Sequence, residues 1–143
     1  MIIEKLKIEN IEELLELYKK LAPFENSVGE SIEIYKEMLK DEQYLILTAK
    51  DEGKVIGSVL GICCKSIATG GRPFLVIEDV IVDENVRGKG IGRKLINSIE
   101  EFGKEKHCAY GILVSSGFRK EAHKFYESLG FTEDVRGFRK IYD

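Results

Sequence analysis

Tryptophan is absent from this 143-residue sequence, and there are only two prolines, two histidines and three cysteines. So few thiols and imidazoles argue against a disulfide framework, and no C-x-x-C or Cys/His ligand spacing is present to hold a structural zinc. No metal is therefore expected. Cys63 and Cys64 are neighbours in an apolar strand, with side chains directed to opposite faces, and Cys108 stands alone. No apolar run approaches the roughly 20 residues that cross a bilayer, so no membrane partner is expected. Met1-Ile2-Ile3-Glu4-Lys5 lacks the basic region and long apolar stretch of a secretory signal, which predicts a cytoplasmic chain. A basic excess is missing too, and the net charge of −3 argues against nucleic acid as a partner.

What is present is an ordinary globular composition. Hydrophobic residues make up 43% and charged residues 33%, proportions that support a folded core rather than disorder. Residues 1–143 are expected to form a single domain. Charge is unevenly placed: Arg87, Lys89, Arg93 and Lys94 fall within eight residues that contain no acid. A cationic cluster on an acidic chain points to a local anionic ligand.

Ile2 to Ile8 reads as a first strand, and Asn10 with Glu13 has the spacing of a capping box. Ile11, Leu14, Leu15, Tyr18 and Leu21 then mark one helical face ending near Pro23. A second helix is expected over Ser31 to Lys40, with Ile34, Tyr35, Met38 and Leu39 buried. Tyr44 to Lys50 and Lys54 to Ser66 read as strands joined at the turn Asp51-Glu52-Gly53. Phe74 to Val82 is a strongly apolar strand. A helix follows from about Gly90 to Lys106, with Ile91, Leu95, Ile99 and Phe102 along one stripe. Tyr110 to Val114 is a short strand, and Ala122, Phe125, Tyr126 and Leu129 form a helical face that stops at Gly130. Phe131 to Tyr142 is expected to supply one or two last strands, bent near Gly137. Hairpin-linked early strands and helix-separated later ones predict an α/β domain with a mixed sheet.

The most informative stretch runs from Val80 to Arg93: a buried strand, a turn holding Gly88, Gly90 and Gly92, and the start of a long helix. Glycines admit close approach of a ligand to the backbone, and free amides at a helix N-terminus favour an anion such as pyrophosphate. Two familiar nucleotide motifs do not fit. The P-loop string G-x-x-x-x-G-K-S/T is absent. The dinucleotide fingerprint needs a glycine where Arg93 stands, and too little chain is left for two mononucleotide-binding halves. A purely structural glycine turn is the remaining alternative.

Arg87-Gly88-Lys89-Gly90-Ile91-Gly92 resembles the coenzyme-A signature Q/R-x-x-G-x-G/A of the GCN5-related N-acetyltransferase (GNAT) superfamily. Arg119 to Phe131, with Ala122, Phe125-Tyr126-Glu127 and Leu129-Gly130-Phe131, is similar to that family's second motif, A-x-x-F-Y-x-x-x-G-F. The specific match covers residues 74–131; before it, only the order of elements agrees. The resemblance implies the GNAT (acyl-CoA N-acyltransferase) fold, a central mixed sheet of six or seven strands flanked by about four helices. It implies an acetyl-CoA-dependent N-acetyltransferase acting by direct attack in a ternary complex, with acetyl-CoA as cosubstrate and a primary amine of a small molecule as acceptor. A protein lysine or N-terminal acetyltransferase, or a non-catalytic acetyl-CoA-binding regulatory domain, are the alternatives. A homodimer is compatible with the resemblance.

The same resemblance assigns residues. The coenzyme is expected between splayed strands, with its pantetheine arm on the backbone of Val80, Ile81 and Val82 and its pyrophosphate on Arg87, Gly88, Lys89, Gly90, Ile91, Gly92 and Arg93. An alkylamine is protonated near neutral pH and must lose a proton before it attacks. Regular alternation places Val76, Glu78, Val80 and Val82 on one face and Asp79 on the other. Glu78 is a costly residue in an apolar strand and matches the glutamate of similar polyamine acetyltransferases, so Glu78 is the expected base, with Asp79 in reserve. A structural pairing of Glu78 with Arg72 or Arg139 is the alternative. Tyr126 matches the family's acid, the donor to the departing thiolate. Many members carry asparagine where this chain has Arg119, and no role is carried over to it or to His123.

Overall fold

The computed structural model describes residues 1–21, 24–114 and 120–142. Pro23 and Arg119 lie outside the described residues. Five strands, counted over the described residues, form one sheet in the order β1-β2-β3-β4-β5: β1 (Ile2–Lys5), β2 (Tyr44–Asp51), β3 (Lys54–Cys64), β4 (Phe74–Val82) and β5 (Gly111–Leu113). β1 to β4 pair antiparallel in succession, whereas β5 runs parallel to β4. Among the described residues, four α-helices accompany them: α1 (Ile11–Tyr18), α2 (Val28–Met38), α3 (Ile91–Glu105) and α4 (Lys120–Ser128). The expected mixed α/β architecture is present. No helix among the described residues is long and apolar enough to cross a membrane.

The sheet is packed on both faces because β2 and β3 alternate between two apolar sets. Ile46 and Val55 join Leu14, Leu15 of α1 and Tyr35 of α2 in one cluster. Leu47, Ala49, Ile56 and Val59 join Ile91, Leu95, Ile96 and Ile99 of α3 in the other. Small residues on β3 bring α3 close. A Cβ on Gly61 would stand 2.5 Å from Ile99 Cγ1, and one on Gly57 would stand 3.1 Å from Leu95 Cδ1. The hairpin between β2 and β3 turns at Glu52 and Gly53, with φ of 51° and 80°, as a two-residue loop with both residues left-handed requires.

Several boundaries differ from the sequence reading. β1 stops at Lys5, because Ile8–Asn10 forms a 3-10 turn instead. Asn10 caps nothing; its Oδ1 accepts from Lys50 Nζ at 3.2 Å, so no capping box forms. α2 begins at Val28 because Ser27 Oγ accepts the Glu30 amide at 3.3 Å. Its inward face is Ile32, Tyr35 and Met38, while Ile34 and Leu39 are exposed. The Tyr35 hydroxyl reaches across to donate to the Leu6 carbonyl at 2.5 Å.

The C-terminal end of α4 follows the expected chemistry. Gly130 has φ 96°, the Phe131 amide donates to the Tyr126 carbonyl at 3.1 Å, and the Gly130 amide donates to Glu127 at 3.0 Å. That pair of bonds is a Schellman cap. The expected sixth and seventh strands are not found: residues 132–142 contain no strand. Val135, Phe138, Ile141 and Tyr142 are all exposed there, so no buried face exists to fix a ladder register. Gly137 nonetheless packs on the end of β5, where an added Cβ would stand 3.0 Å from Val114 Cγ2.

Candidate active site

Three features meet where β4 gives way to α3. The first is the turn between them. Asp83 Oδ1 accepts the Asn85 amide at 3.0 Å and starts a short 3-10 turn, Glu84–Val86. Glu84 is tied to Lys20, just beyond α1, at 2.6 Å. Gly88 and Gly90 then take φ of 85° and 74°, and a Cβ on either would meet nothing within 4 Å. Space lies over the backbone at both positions. Gly90 precedes α3 without a side-chain cap, and the first turn of α3 holds no acid. The amides at the start of this 15-residue helix therefore face outward with its positive dipole end, beside the exposed Arg87, Lys89 and Lys94. This donor set fits a diphosphate.

Gly92 and Arg93 do something further. A Cβ on Gly92 would stand 3.3 Å from Phe125 Cζ and 3.8 Å from Val82 Cγ2, so this glycine lets α4 lie close to α3. Arg93 Nη2 donates to Ser128 Oγ at 3.2 Å, and that hydroxyl donates to the Phe125 carbonyl at 2.6 Å. The first turn of α3 is thereby fastened to the last turn of α4.

The second feature is a bulge. Leu60 pairs with Glu78 and Ser58 with Ile81, so Asp79 and Val80 together oppose the single residue Val59. Asp79 takes φ 53°, a left-handed conformation that aspartate tolerates better than most residues. The extra residue reverses the alternation. Leu75 and Ile77 face α3 before the bulge, and Val80 and Val82 pack against that same α3 cluster after it. The regular alternation that grouped Glu78 with Val80 and Val82 is therefore corrected.

The charge of Asp79 instead acts on Tyr18 of α1, and Ser58, whose hydroxyl donates to the Leu47 carbonyl at 2.8 Å, acts on it too. Burial raises the Tyr18 pKa strongly, Asp79 adds to the rise, and the Ser58 contact opposes it. Burial also raises the Asp79 carboxyl above its ordinary value. Although Glu78 as a residue is exposed, protein crowding its carboxyl raises its pKa, with the Asp79 charge adding and Arg139 opposing. No Glu78–Arg139 ion pair forms within 4.0 Å among the described residues. Arg72 is occupied elsewhere, donating to the carbonyls of His107 and Cys108. The influence of Asp79 on Tyr18 and the left-handed backbone of Asp79 escaped the sequence reading. A Glu-Asp pair inside an apolar strand was the only signal that regular pleating fails there.

The third feature is an open strand edge. β4 pairs with β5 at Leu75, Val76 and Ile77 only. Among the described residues, Glu78 to Val82 have no strand partner on that side. Tyr126 lies on the α3 side of the sheet, packed against the cluster that holds Val80 and Val82. Its ring centroid is 5.4 Å from Phe125 and 6.5 Å from Phe131. Glu78, in the stretch of β4 beyond Ile77, precedes the bulge, and Tyr126 packs on the α3 side of the sheet.

A five-stranded mixed sheet with a bulged fourth strand and an uncapped helix start frames this site. The chain belongs to the acetyltransferase (GNAT) family, whose model matches residues 11–131. It is 28% identical to a crystallised acetyltransferase from Trypanosoma brucei, with TM-score 0.86 and 99% of each chain covered. It is 25% identical to the glucosamine-6-phosphate N-acetyltransferase of Arabidopsis thaliana, with TM-score 0.89, covering 99% of this chain and 98% of that one. A glucosamine 6-phosphate N-acetyltransferase of Trypanosoma brucei brucei is 38% identical over 87 residues, 61% of this chain and 57% of that protein. The chain thus spans a little over half the length of that relative.

Proposed function

We propose that this chain transfers the acetyl group of acetyl-CoA to a primary amine of a small molecule, by direct attack while both substrates are bound. One observation carries the reading: the β4 edge, which has no partner beyond Ile77 among the described residues, leads through the glycine turn to a helix start with no capping side chain and no first-turn acid. Backbone groups of Val80, Ile81 and Val82 would pair with the amide-bearing pantetheine arm as a strand pairs with a peptide. The amides from Gly88 to Arg93, with Arg87 and Lys89, would hold the pyrophosphate.

Glu78 would take a proton from the incoming ammonium, directly or through water. Its raised pKa makes it a better base near neutral pH than an ordinary carboxylate. The amine nitrogen then bonds to the thioester carbonyl carbon, and an amide of β4 near Val80 would face the developing oxyanion. The carbon–sulfur bond breaks, the Tyr126 hydroxyl would protonate the departing thiolate, and the second proton shed by the amine nitrogen would restore the phenol.

The relatives named for glucosamine 6-phosphate make an amino-sugar phosphate the first acceptor to try. The test is thiol release from acetyl-CoA over a panel of glucosamine 6-phosphate, aminoglycosides, polyamines and lysine-containing peptides. Turnover confined to small amines supports the reading. Turnover on peptides alone would make the chain a protein acetyltransferase. Tight coenzyme binding with no turnover on any amine would make it a regulatory domain.

A further inference from the structure

The fold brings together two thiols that the sequence keeps 45 positions apart. Cys63 lies near the end of β3, opposite Leu75 of β4. Cys108 follows α3, with its amide bonded to the Gly103 carbonyl at 2.9 Å. Their sulfurs are 3.5 Å apart, and both cysteines are free. Cys63 is only 3% exposed, whereas Cys108 is half-buried.

Their surroundings are fixed and charged. Arg72 clamps the Cys108 segment, donating from Nε to the His107 carbonyl at 3.0 Å and from Nη2 to the Cys108 carbonyl at 2.8 Å. A groove of about 940 Å³ reaches Cys63, and its walls carry Lys40, Lys65, Arg72 and Lys106 against Asp41 and Glu42. Four cations against two acids make this groove positive on a chain whose net charge is −3. The groove adjoins the beginning of β4, while the glycine turn follows its end, so the two are separated by roughly 25 Å of strand.

We propose that Cys63 and Cys108 form a reversible dithiol–disulfide site, oxidised by a small anionic disulfide that the cations of this groove attract. Closing from 3.5 Å to a bonded pair takes about 1.5 Å, within the reach of side-chain rotation. Cys108, the more accessible thiol, attacks first. Its sulfur bonds to one sulfur of the reagent disulfide, the other sulfur leaves as a thiolate, and that thiolate ends with the proton Cys108 gave up. Cys63 then attacks the Cys108 sulfur of the mixed disulfide. The internal disulfide forms and a second reagent thiol departs, carrying the Cys63 proton. The reagent disulfide is reduced to two thiols as the protein pair is oxidised.

The order of steps agrees with the electrostatics. Burial pushes the Cys63 thiol up to about 12, the contact with Cys108 adds to the rise, and Lys106 opposes it. Capping the Cys108 sulfur removes the contact that holds the Cys63 thiol protonated, which eases deprotonation of Cys63 for the second step. Cross-linking these positions would close a long loop and raise the stability of the oxidised form.

The experiment treats the purified chain with glutathione disulfide, then maps its peptides without reduction. Expected are a peptide joining Cys63 to Cys108, loss of two hydrogen atoms from the intact mass, reversal by dithiothreitol, and a Tm about 5 °C or more higher than the reduced form. Cys64→Ser should keep the cross-link and Cys108→Ser should lose it. A lasting glutathionyl adduct without a cross-link, a link through Cys64, or an unmodified chain would overturn the proposal. Hydroxyethyl disulfide, which is neutral, tests the groove. Lys65→Glu with Lys106→Glu should cut the preference for the anionic reagent roughly threefold or more, and an unchanged preference removes the groove from the proposal.

Discussion

Asp79 has no cross-strand partner of its own: it is the residue by which β4 outruns Val59 of β3, and it holds φ 53° to do so. Everything from Val80 onward is turned over by that single residue. A β-branched side chain is strongly disfavoured at positive φ, whereas glycine takes it freely. Asp79→Val should therefore lose about 1–3 kcal/mol of stability, and Asp79→Gly should lose little or gain. Urea unfolding of the two variants decides this, and equal losses would mean the backbone conformation is unimportant.

Asp79 also sets a pH dependence. Burial raises its folded-state pKa, so the folded chain holds this proton more tightly than the unfolded chain does. The associated stability is fully present below the ordinary aspartate pKa and is lost as pH rises through the raised folded value. Asp79→Asn removes the buried charge and should stabilise the chain near neutral pH, with the gain vanishing at a pH below about 3.9. It also removes a charge that raises Glu78, so the Glu78 pKa should fall. Melting temperatures of both proteins across the acid range provide the check; a gap that does not vary with pH counts against the assignment.

Sequence pattern made the local chemistry legible and left the long-range contacts hidden. The apolar run Phe74–Val82, the stripe Ile91, Leu95 and Ile99, and the Gly130 cap each depend on residues close in sequence. The glycine turn before α3 was legible for the same reason. The bulge was not, because it exists only relative to β3. Gly92 matched a ligand motif equally well as packing space, and only the position of Phe125 on α4 distinguishes the two uses. Ile34 and Leu39 were misplaced because Ser27 starts α2 earlier than the apolar pattern suggested. Residues 132–142 have strand-forming side chains, but their apolar groups have nothing to cover them.

Gly61 and Gly103 separate two kinds of close contact on the α3 side. A Cβ on Gly61 would lie 2.5 Å from Cγ1 and 2.7 Å from Cδ1 of Ile99, which is fully buried and has little room to move. Gly61→Ala should cost about 1–3 kcal/mol through overpacking. A Cβ on Gly103 would lie 2.9 Å from Cδ2 of Leu75, the far end of a flexible side chain. There the gain of roughly 1 kcal/mol from replacing glycine within a helix offsets the crowding, so Gly103→Ala should be close to neutral. Denaturant midpoints measured at constant m-value test the contrast.

Gly90 offers a way to part folding from ligand binding. An aspartate there gains from the positive end of α3 but is strained by φ 74°, and each effect is about 1 kcal/mol, so stability should barely change. A carboxylate at the same spot would repel a diphosphate and fill the open space over the backbone. Coenzyme A affinity should fall about tenfold or more. Calorimetric titration of Gly90→Asp with coenzyme A measures it; retained affinity would place the diphosphate elsewhere.

Tyr126 can be tested without disturbing the packing that positions it. Its ring is wedged between Phe125 and Phe131 and against the cluster holding Val80 and Val82, and phenylalanine keeps every one of those apolar contacts. Only the hydroxyl is lost in Tyr126→Phe. If that hydroxyl protonates the departing thiolate, kcat should fall about 100-fold while the coenzyme A dissociation constant stays within a factor of about two. The deficit should shrink when the thiol leaving group is made more acidic, because a better leaving group needs less protonation in the transition state. A packing role predicts the opposite pattern, with altered coenzyme affinity and a deficit that does not depend on the leaving group. Steady-state rates with two acyl thioesters of different thiol acidity therefore distinguish the two, and undiminished turnover by the phenylalanine variant would remove Tyr126 from the chemistry altogether.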